Sequence, residues 1–329
     1  MKILLSLLHP AHFLLFKGFI LEMQKRKHEF IIVSRKKDCL IELLDYYGFK
    51  HECISEHKKG VWPLAKELMT RVSKIKKICK KEKPDILLGC MGADIVLIRN
   101  KLSYIVYDTE DSGIVSKYVY PLATKIITPE CFAEDLGKKH VKYRGHKELA
   151  YLTDFKPEDV PINNFFFLRF VSWGASHDIG QSGLNLEYKR KIIEKLSKLG
   201  NIIISSEGQL PEEFEKYIYK DHPAKIHSYL YHARMFIGDS QTMATEAGLL
   251  GTPSIRCNTL VGTNHGKGVF EKLEEECLVK SVKNPEEVLL LIDELINKKN
   301  EWQIKAGRYF AKNENVTEWL VRYFDNIKL

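Results

Sequence analysis

The chain has 329 residues, 44% hydrophobic and 29% charged, with 51 Lys and Arg against 43 Asp and Glu. That length and apolar content suffice for two domains with cores of their own, and the lack of low-complexity tracts argues against extensive disorder. No stretch nears the roughly 20 consecutive apolar residues that span a bilayer.

The opening apolar run stops at His9-Pro10 without a small-residue cleavage site, so it predicts a first β-strand rather than a secretory leader. In the first half, strands are predicted at 3–8, 30–34, 52–54, 86–88, 104–107 and 125–128. Helices are predicted at 13–26, 37–47, 64–81, 93–100 and 113–122. This alternation predicts a parallel sheet with helices on both faces, and such sheets take ligands at the carboxyl ends of their strands. Pro157, Pro161, Asn163 and Asn164 break the rhythm and mark a linker. Alternation restarts with a strand at 165–172, a helix at 185–199, a strand at 201–205 and a helix at 211–219 opened by Pro211. A strand from Met235, a helix from Gln241, a strand at 254–257 and a helix at 285–297 follow. Trp319, Leu320, Tyr323 and Phe324 form an apolar stripe on a final helix.

Charge is unevenly placed. Residues 58–83 hold ten Lys or Arg and only Glu67 and Glu82, so this segment accounts for the whole +8 net charge. Leu64, Leu68, Val72, Ile75 and Cys79 recur at helical spacing, with Trp62 at the entrance. The segment reads as a basic amphipathic helix. It is either a sheet-covering helix with a solvated lysine face or a surface for anionic lipid. Nucleic acid is disfavoured, because aromatics are not interleaved with the cations. The seven cysteines are scattered without a C-x-x-C, which predicts reduced thiols and a cytoplasmic chain, peripheral on the inner membrane face if the basic helix meets lipid. His and Cys show no zinc spacing, and no Asp-x-Asp marks a metal-bound diphosphate.

The most informative stretch runs from Met235 to Pro253: strand, the turn Gly238-Asp239-Ser240, a short helix, Gly251 and Pro253. Asp239 or Ser240 suits an N-cap, and Gly251 suits the left-handed position after the helix. First-turn amides at the positive end of a helix dipole make a phosphate site. Glu246 lies one turn beyond Thr242 on the same face, placed for a ribose diol. Phosphate at the tip and a diol-binding carboxylate one turn down describe a site for a nucleotide diphosphate.

That stretch resembles the nucleotide-binding helix of GT-B glycosyltransferases and of UDP-N-acetylglucosamine 2-epimerases, where Asp-Ser-Gly is followed by Glu-Ala and Leu-Gly-x-Pro. The whole chain resembles a prokaryotic GT-B-like family, domain of unknown function 354. The resemblance is carried by His9-Pro10-Ala11-His12-Phe13, by Arg144-Gly145-His146-Lys147-Glu148 with Tyr151-Leu152, by Ala175-Ser176-His177-Asp178, and by the 238–253 block. Gln241-Thr242 departs from the Gly-Gly or Gly-Thr of the related enzymes.

The expected fold is α/β, two doubly wound Rossmann-like domains facing a cleft. Residues 1–145 form an acceptor domain, 146–163 a linker, 164–312 a nucleotide-sugar-binding domain, and 313–329 a helix crossing back to the first domain. His12, Glu110 and His177 are the catalytic candidates: each sits after a predicted strand, and a histidine titrates where acid–base work is done. His12 opens a helix, which favours its neutral, base-competent form. Asp94 and His9 are weaker candidates of the same placement. Ser240, Gln241, Thr242 and Glu246 are expected to bind the nucleotide sugar, with His227 beside the base, and Gly174, Ser176 and Asp178 in a loop suited to an anion. Lys147 offers a cation to the departing diphosphate. Each has a bland counterpart: capping for Ser240 and His12, loop polarity for His177, an acidic helix start for Glu110, a hinge salt bridge for Lys147.

The resulting expectation is a glycosyltransferase needing neither metal nor other cofactor, moving a sugar from a nucleotide-diphosphate donor, UDP-linked in the nearest resemblance. The acceptor is a glycan or lipid-linked molecule in surface polysaccharide or glycolipid synthesis. The alternatives are a nucleotide-sugar epimerase and a non-catalytic nucleotide-sugar-binding protein. Oligomeric state leaves no mark in the sequence.

Overall fold

The computed structural model describes residues 1–58, 60–107, 117–172, 181–264 and 266–327. It divides into two compact units, Met1–Thr153 with Glu314–Leu329, and Asp154–Asn313.

The first unit is built on a seven-stranded parallel sheet. Its strands are β1 (Lys2–Leu7), β2 (Glu29–Lys36), β3 (Glu52–Glu56), β4 (Ile86–Gly89), β5 (Leu102–Val106), β6 (Lys125–Pro129) and β7 (His140–Tyr143), in the order β3-β2-β1-β4-β5-β6-β7. The order reverses between β1 and β4, the switch point where such sheets bind ligands. The helices are α1 (Pro10–Lys25), α2 (Leu40–Tyr46), α3 (Val61–Glu82), α4 (Ala93–Val96) and the short α5 (Leu149–Leu152). The inner face of α3 packs Val72, Ile75 and Cys79 against Leu4, Val33 and Leu87 of the sheet. The stretch expected to be linker holds α5, whose Leu149 and Leu152 are buried. Strand β7 has no counterpart among the expected elements. It is an edge strand whose Lys142 is exposed and whose His140 and Val141 are half-buried, so it lacks the apolar run of an interior strand.

The second unit has β8 (Phe165–Phe170), β9 (Asn201–Ser206), β10 (Phe236–Gly238), β11 (Ser254–Cys257) and β12 (Lys280–Val282), all parallel, in the order β12-β11-β10-β8-β9. Its switch point lies between β8 and β10. The helices are α6 (Leu186–Ser197), α7 (Ile226–His232), α8 (Gln241–Leu249), α9 (Lys267–Glu275), α10 (Pro285–Leu295) and α11 (Lys299–Lys312). One sheet face carries the core of Phe166, Leu168, Phe170, Ile237 and Ile255 under Ile192 of α6 and Val288 of α10.

The chain ends in α12 (Val316–Asp325), part of the first unit. Phe324 packs on Phe19 and Tyr104, and Trp319 on Tyr143. Gly18 lets α1 approach α12: a Cβ there would stand 2.9 Å from Thr317 Oγ1, whose hydroxyl donates to the Ala150 carbonyl.

Candidate functional site

The β10-α8 turn stands at the switch point of the second unit. Asp239 is buried, and its Oδ1 accepts a hydrogen bond from the Val171 amide at the end of β8 (2.8 Å). Its amide donates to the Arg169 carbonyl, and its carbonyl accepts from Asn258 Nδ2 (2.9 Å). The loops after β8, β10 and β11 are thus tied together around one aspartate. Gly183 makes room for it, since a Cβ there would lie 2.0 Å from Asp239 Oδ2.

Ser240 is the N-cap of α8, its hydroxyl accepting from the Met243 amide. The first turn carries no acidic residue. The helix ends in a Schellman motif: Thr252 N–H donates to the Ala247 carbonyl and Gly251 N–H to that of Gly248, with Gly251 at φ +79°. Gly248 fits closely over Leu278, whose carbonyl oxygen a Cβ would meet at 2.4 Å. Both ends of α8 are therefore fixed, and its N-terminal amides point outward from the carboxyl edge of the sheet.

Two expected binding residues meet. His227 Nε2, on α7, lies 3.1 Å from Glu246 Oε1, and both side chains are buried. The His227 ring packs edge-on against Phe155. A buried carboxylate is costly unless partnered, and the His227 ring lies close beside Glu246, an approach without hydrogen-bond geometry at Nε2.

Arg169 and Arg256 escaped the sequence reading. In register, Ser205, Arg169, Gly238, Arg256 and Ser281 lie side by side across five strands, so their side chains share a face. It is the face that α8 covers, because Ser254, two residues before Arg256, donates its hydroxyl to the Ala244 carbonyl. Arg169 donates to Ser205 Oγ (2.7 Å) and Glu207 Oε1 (2.5 Å). Arg256 stacks over Phe270 at 3.4 Å and donates to Ser281 Oγ (3.1 Å). Burial brings the Arg256 guanidinium down to about 10, still charged at neutral pH, with Glu274 opposing the shift from 3.9 Å. Arg169 Nε, Arg256 Nη1 and Gln241 Nε2 are buried donors with no hydrogen-bond acceptor among the described residues. Buried donors left unmatched each cost about 1–3 kcal/mol. Donor excess beside a helix N-terminus is the chemistry of an anion site. The strand pattern hid it, because an arginine inside an apolar run reads as an interruption.

In the first unit, His12 sits in the first turn of α1, and its Nδ1 accepts from the Leu8 amide (3.3 Å). In the neutral ring the proton then resides on Nε2. His9 caps α1 through Nδ1, accepting from the Ala11 amide, with Nε2 3.6 Å from Asp38. Asp94 is buried; its Oδ2 accepts from Ser6 Oγ (2.7 Å) and lies 3.3 Å from Arg71 Nε, while its Oδ1 has no hydrogen-bond partner among the described residues. Lys147 is ion-paired with buried Glu148 at 2.9 Å. Glu110, Gly174, Ser176, His177 and Asp178 lie outside the described residues.

Two doubly wound Rossmann-like units make a GT-B-like fold. Residues 1–170 match the family model described as protein of unknown function (DUF354), and the chain belongs to that family. An uncharacterized protein of Methanocaldococcus jannaschii is 24% identical over 278 residues, 77% of this chain and 80% of that one. Among solved structures, the UDP-GlcNAc 2-epimerase of Methanocaldococcus jannaschii, in complex with UDP-GlcNAc and UDP, superposes with TM-score 0.71 at 15% identity, covering 99% of each chain. The glycotransferase of kitacinnamycin superposes with TM-score 0.62 at 10% identity, covering 98% of each.

Proposed function

We propose that this chain is a metal-independent GT-B-type glycosyltransferase whose second unit binds a nucleotide-diphosphate sugar at α8. The observation that carries the reading is the arrangement around α8. A capped helix start with unmatched buried donors suits a diphosphate, and a buried carboxylate one turn along suits the ribose diol. Arg256, Arg169 and Gln241 meet the charge that develops on the leaving diphosphate, the task a metal performs elsewhere. The acceptor, a glycan or lipid-linked molecule, belongs to the first unit. There His12 donates from Nε2 to an acceptor or sugar oxygen, and Glu110 is the proposed base for the acceptor hydroxyl; His177, in the second unit's stretch of sequence, is the other catalytic candidate.

The second reading, nucleotide-sugar epimerisation, is favoured by the higher structural similarity to the epimerase than to the glycotransferase. It needs an acid–base pair at the sugar, and the buried Asp94 at the first switch point, with Oδ2 on Ser6 and Oδ1 without a hydrogen-bond partner among the described residues, is a carboxylate it could use.

The test is product analysis with a radiolabelled nucleotide sugar, with and without a membrane glycan fraction. Acceptor-dependent release of nucleoside diphosphate supports transfer. An isomerised nucleotide sugar formed without acceptor replaces it with epimerisation. Tight binding with no turnover reduces the chain to a binding protein.

A further inference from the structure

We propose that the outward face of α3 docks on an anionic membrane surface, with Val61, Trp62 and Met69 entering the interface and the lysines behind them on lipid phosphates. Trp62 is 86% exposed, Val61 77% and Met69 64%. Single exposed apolar residues need no explanation, but these share one end of one helix. Trp62, Ala65, Met69, Ser73, Lys76 and Lys80 follow one another at three- and four-residue spacing, so a single stripe runs from apolar to basic.

The carboxylates have been taken off this face. Glu67 turns inward and is fully committed: Oε2 accepts from Arg35 Nη2 (2.7 Å), and Oε1 from Arg71 Nη1 (2.8 Å) and Ser55 Oγ (2.9 Å). Burial opposes the charge on Glu67, yet the two arginines and the serine hold its carboxyl below the usual range. Glu82, at the far end, pairs with Lys2 (3.5 Å) and Lys81 (3.4 Å). Among the described residues, Lys66, Lys76, Lys77 and Lys80 are exposed and meet no carboxylate. The buried Arg35–Glu67–Arg71–Asp94 network thus also leaves α3 with an outward face of one sign. It keeps the helix rigid while the opposite side packs on the sheet.

An interfacial tryptophan, an apolar tip and a one-signed lysine field match a bilayer with anionic headgroups. A nucleic-acid groove would call for aromatics among the cations, and an acidic protein surface gives no reason for the apolar tip. The inference stands apart from the donor site, which lies in the other unit.

The test is co-sedimentation of the full chain with phosphatidylcholine vesicles, alone or containing phosphatidylglycerol. Three proteins are compared: the unaltered chain, a K76E/K77E/K80E variant and a W62S/M69S variant. Binding to anionic vesicles only, falling with added salt, is expected, with loss in the lysine variant and a drop of roughly tenfold or more in the apolar variant. Thermal unfolding and nucleotide titration of both variants, expected to match the unaltered chain, show that they fold. No binding of the unaltered chain to anionic vesicles, equal binding by the lysine variant, or retention on duplex DNA in place of vesicles overturns the proposal.

Discussion

Arg256 separates the demands of stability from those of binding. A guanidinium buried with one unmatched donor is a cost in the empty protein, and replacing such a group with an apolar one of similar size is often stabilising. R256M is therefore expected to raise the melting temperature of the ligand-free chain while weakening nucleoside-diphosphate binding roughly tenfold or more, about 1.5–3 kcal/mol for a charged hydrogen bond. Scanning calorimetry and titration of the same preparation check both signs. A variant that unfolds earlier and binds equally well would make Arg256 purely structural. His140 gives a pH prediction. Its Nδ1 accepts from the Leu136 amide and its Nε2 lies 2.7 Å from Thr128 Oγ1, so the ring is held neutral. Burial, then Lys142, lowers its pKa below the ordinary 6.5, with Asp135 opposing. The unfolded chain binds the proton more readily, so stability is full above about pH 6.5 and falls as pH drops through the folded value. His57, lowered by burial and Arg35, adds in the same direction. Melting temperature measured against pH should show this loss, with a shallower slope in H140Q.

Helix α8 shows what the sequence made legible. Its cap, its glycine stop and the following proline are local signals, and each does in three dimensions what its type predicts. G251A meets both a φ of +79° and a Cβ position 2.9 Å from Gln303 Cα, so a loss of about 1–3 kcal/mol is expected in denaturant unfolding. S240A should lose about 1 kcal/mol through the cap alone. Several of the elements that stayed hidden are ones whose identity is decided by neighbours. Strands β7 and β12 are edges, with polar residues where an interior strand has apolar ones. Helix α9 begins at Gly266 in a left-handed conformation with no side-chain cap, so it lacks the usual opening signal. Helix α5 hides in a proline-flanked stretch because only burial of Leu149 and Leu152 makes it a helix. The site was half legible for the same reason. Ser240 and Glu246 follow from helical spacing. The His227–Glu246 pair and the Arg169–Gly238–Arg256 row need the fold, since α7 and three separate strands supply them.

For the whole molecule, the proposed division of labour puts the nucleotide sugar in the second unit and the membrane-facing acceptor chemistry in the first. Saturating nucleotide should therefore slow amide exchange in residues 154–313, most at α8 and the ends of β8 and β10. At a hundredfold excess over Kd, ligand linkage alone adds about 2.7 kcal/mol. Protection confined to residues 1–153 would reverse the assignment of the units. Chelation should leave turnover unchanged, because in the proposed site arginines and helix amides meet the diphosphate charge; loss of activity in EDTA, restored by a divalent cation, would refute metal independence.

The central claim is that α8 holds a nucleoside diphosphate, and calorimetric titration with UDP, GDP, CDP, ADP and TDP tests it most directly. The unaltered chain and E246A are titrated side by side. Selective binding of one nucleotide, abolished or weakened at least tenfold in E246A, is the result the account predicts. No binding of any of the five, or equal binding by both proteins, would contradict it and leave α8 a well-capped helix with a buried histidine–glutamate contact at its side.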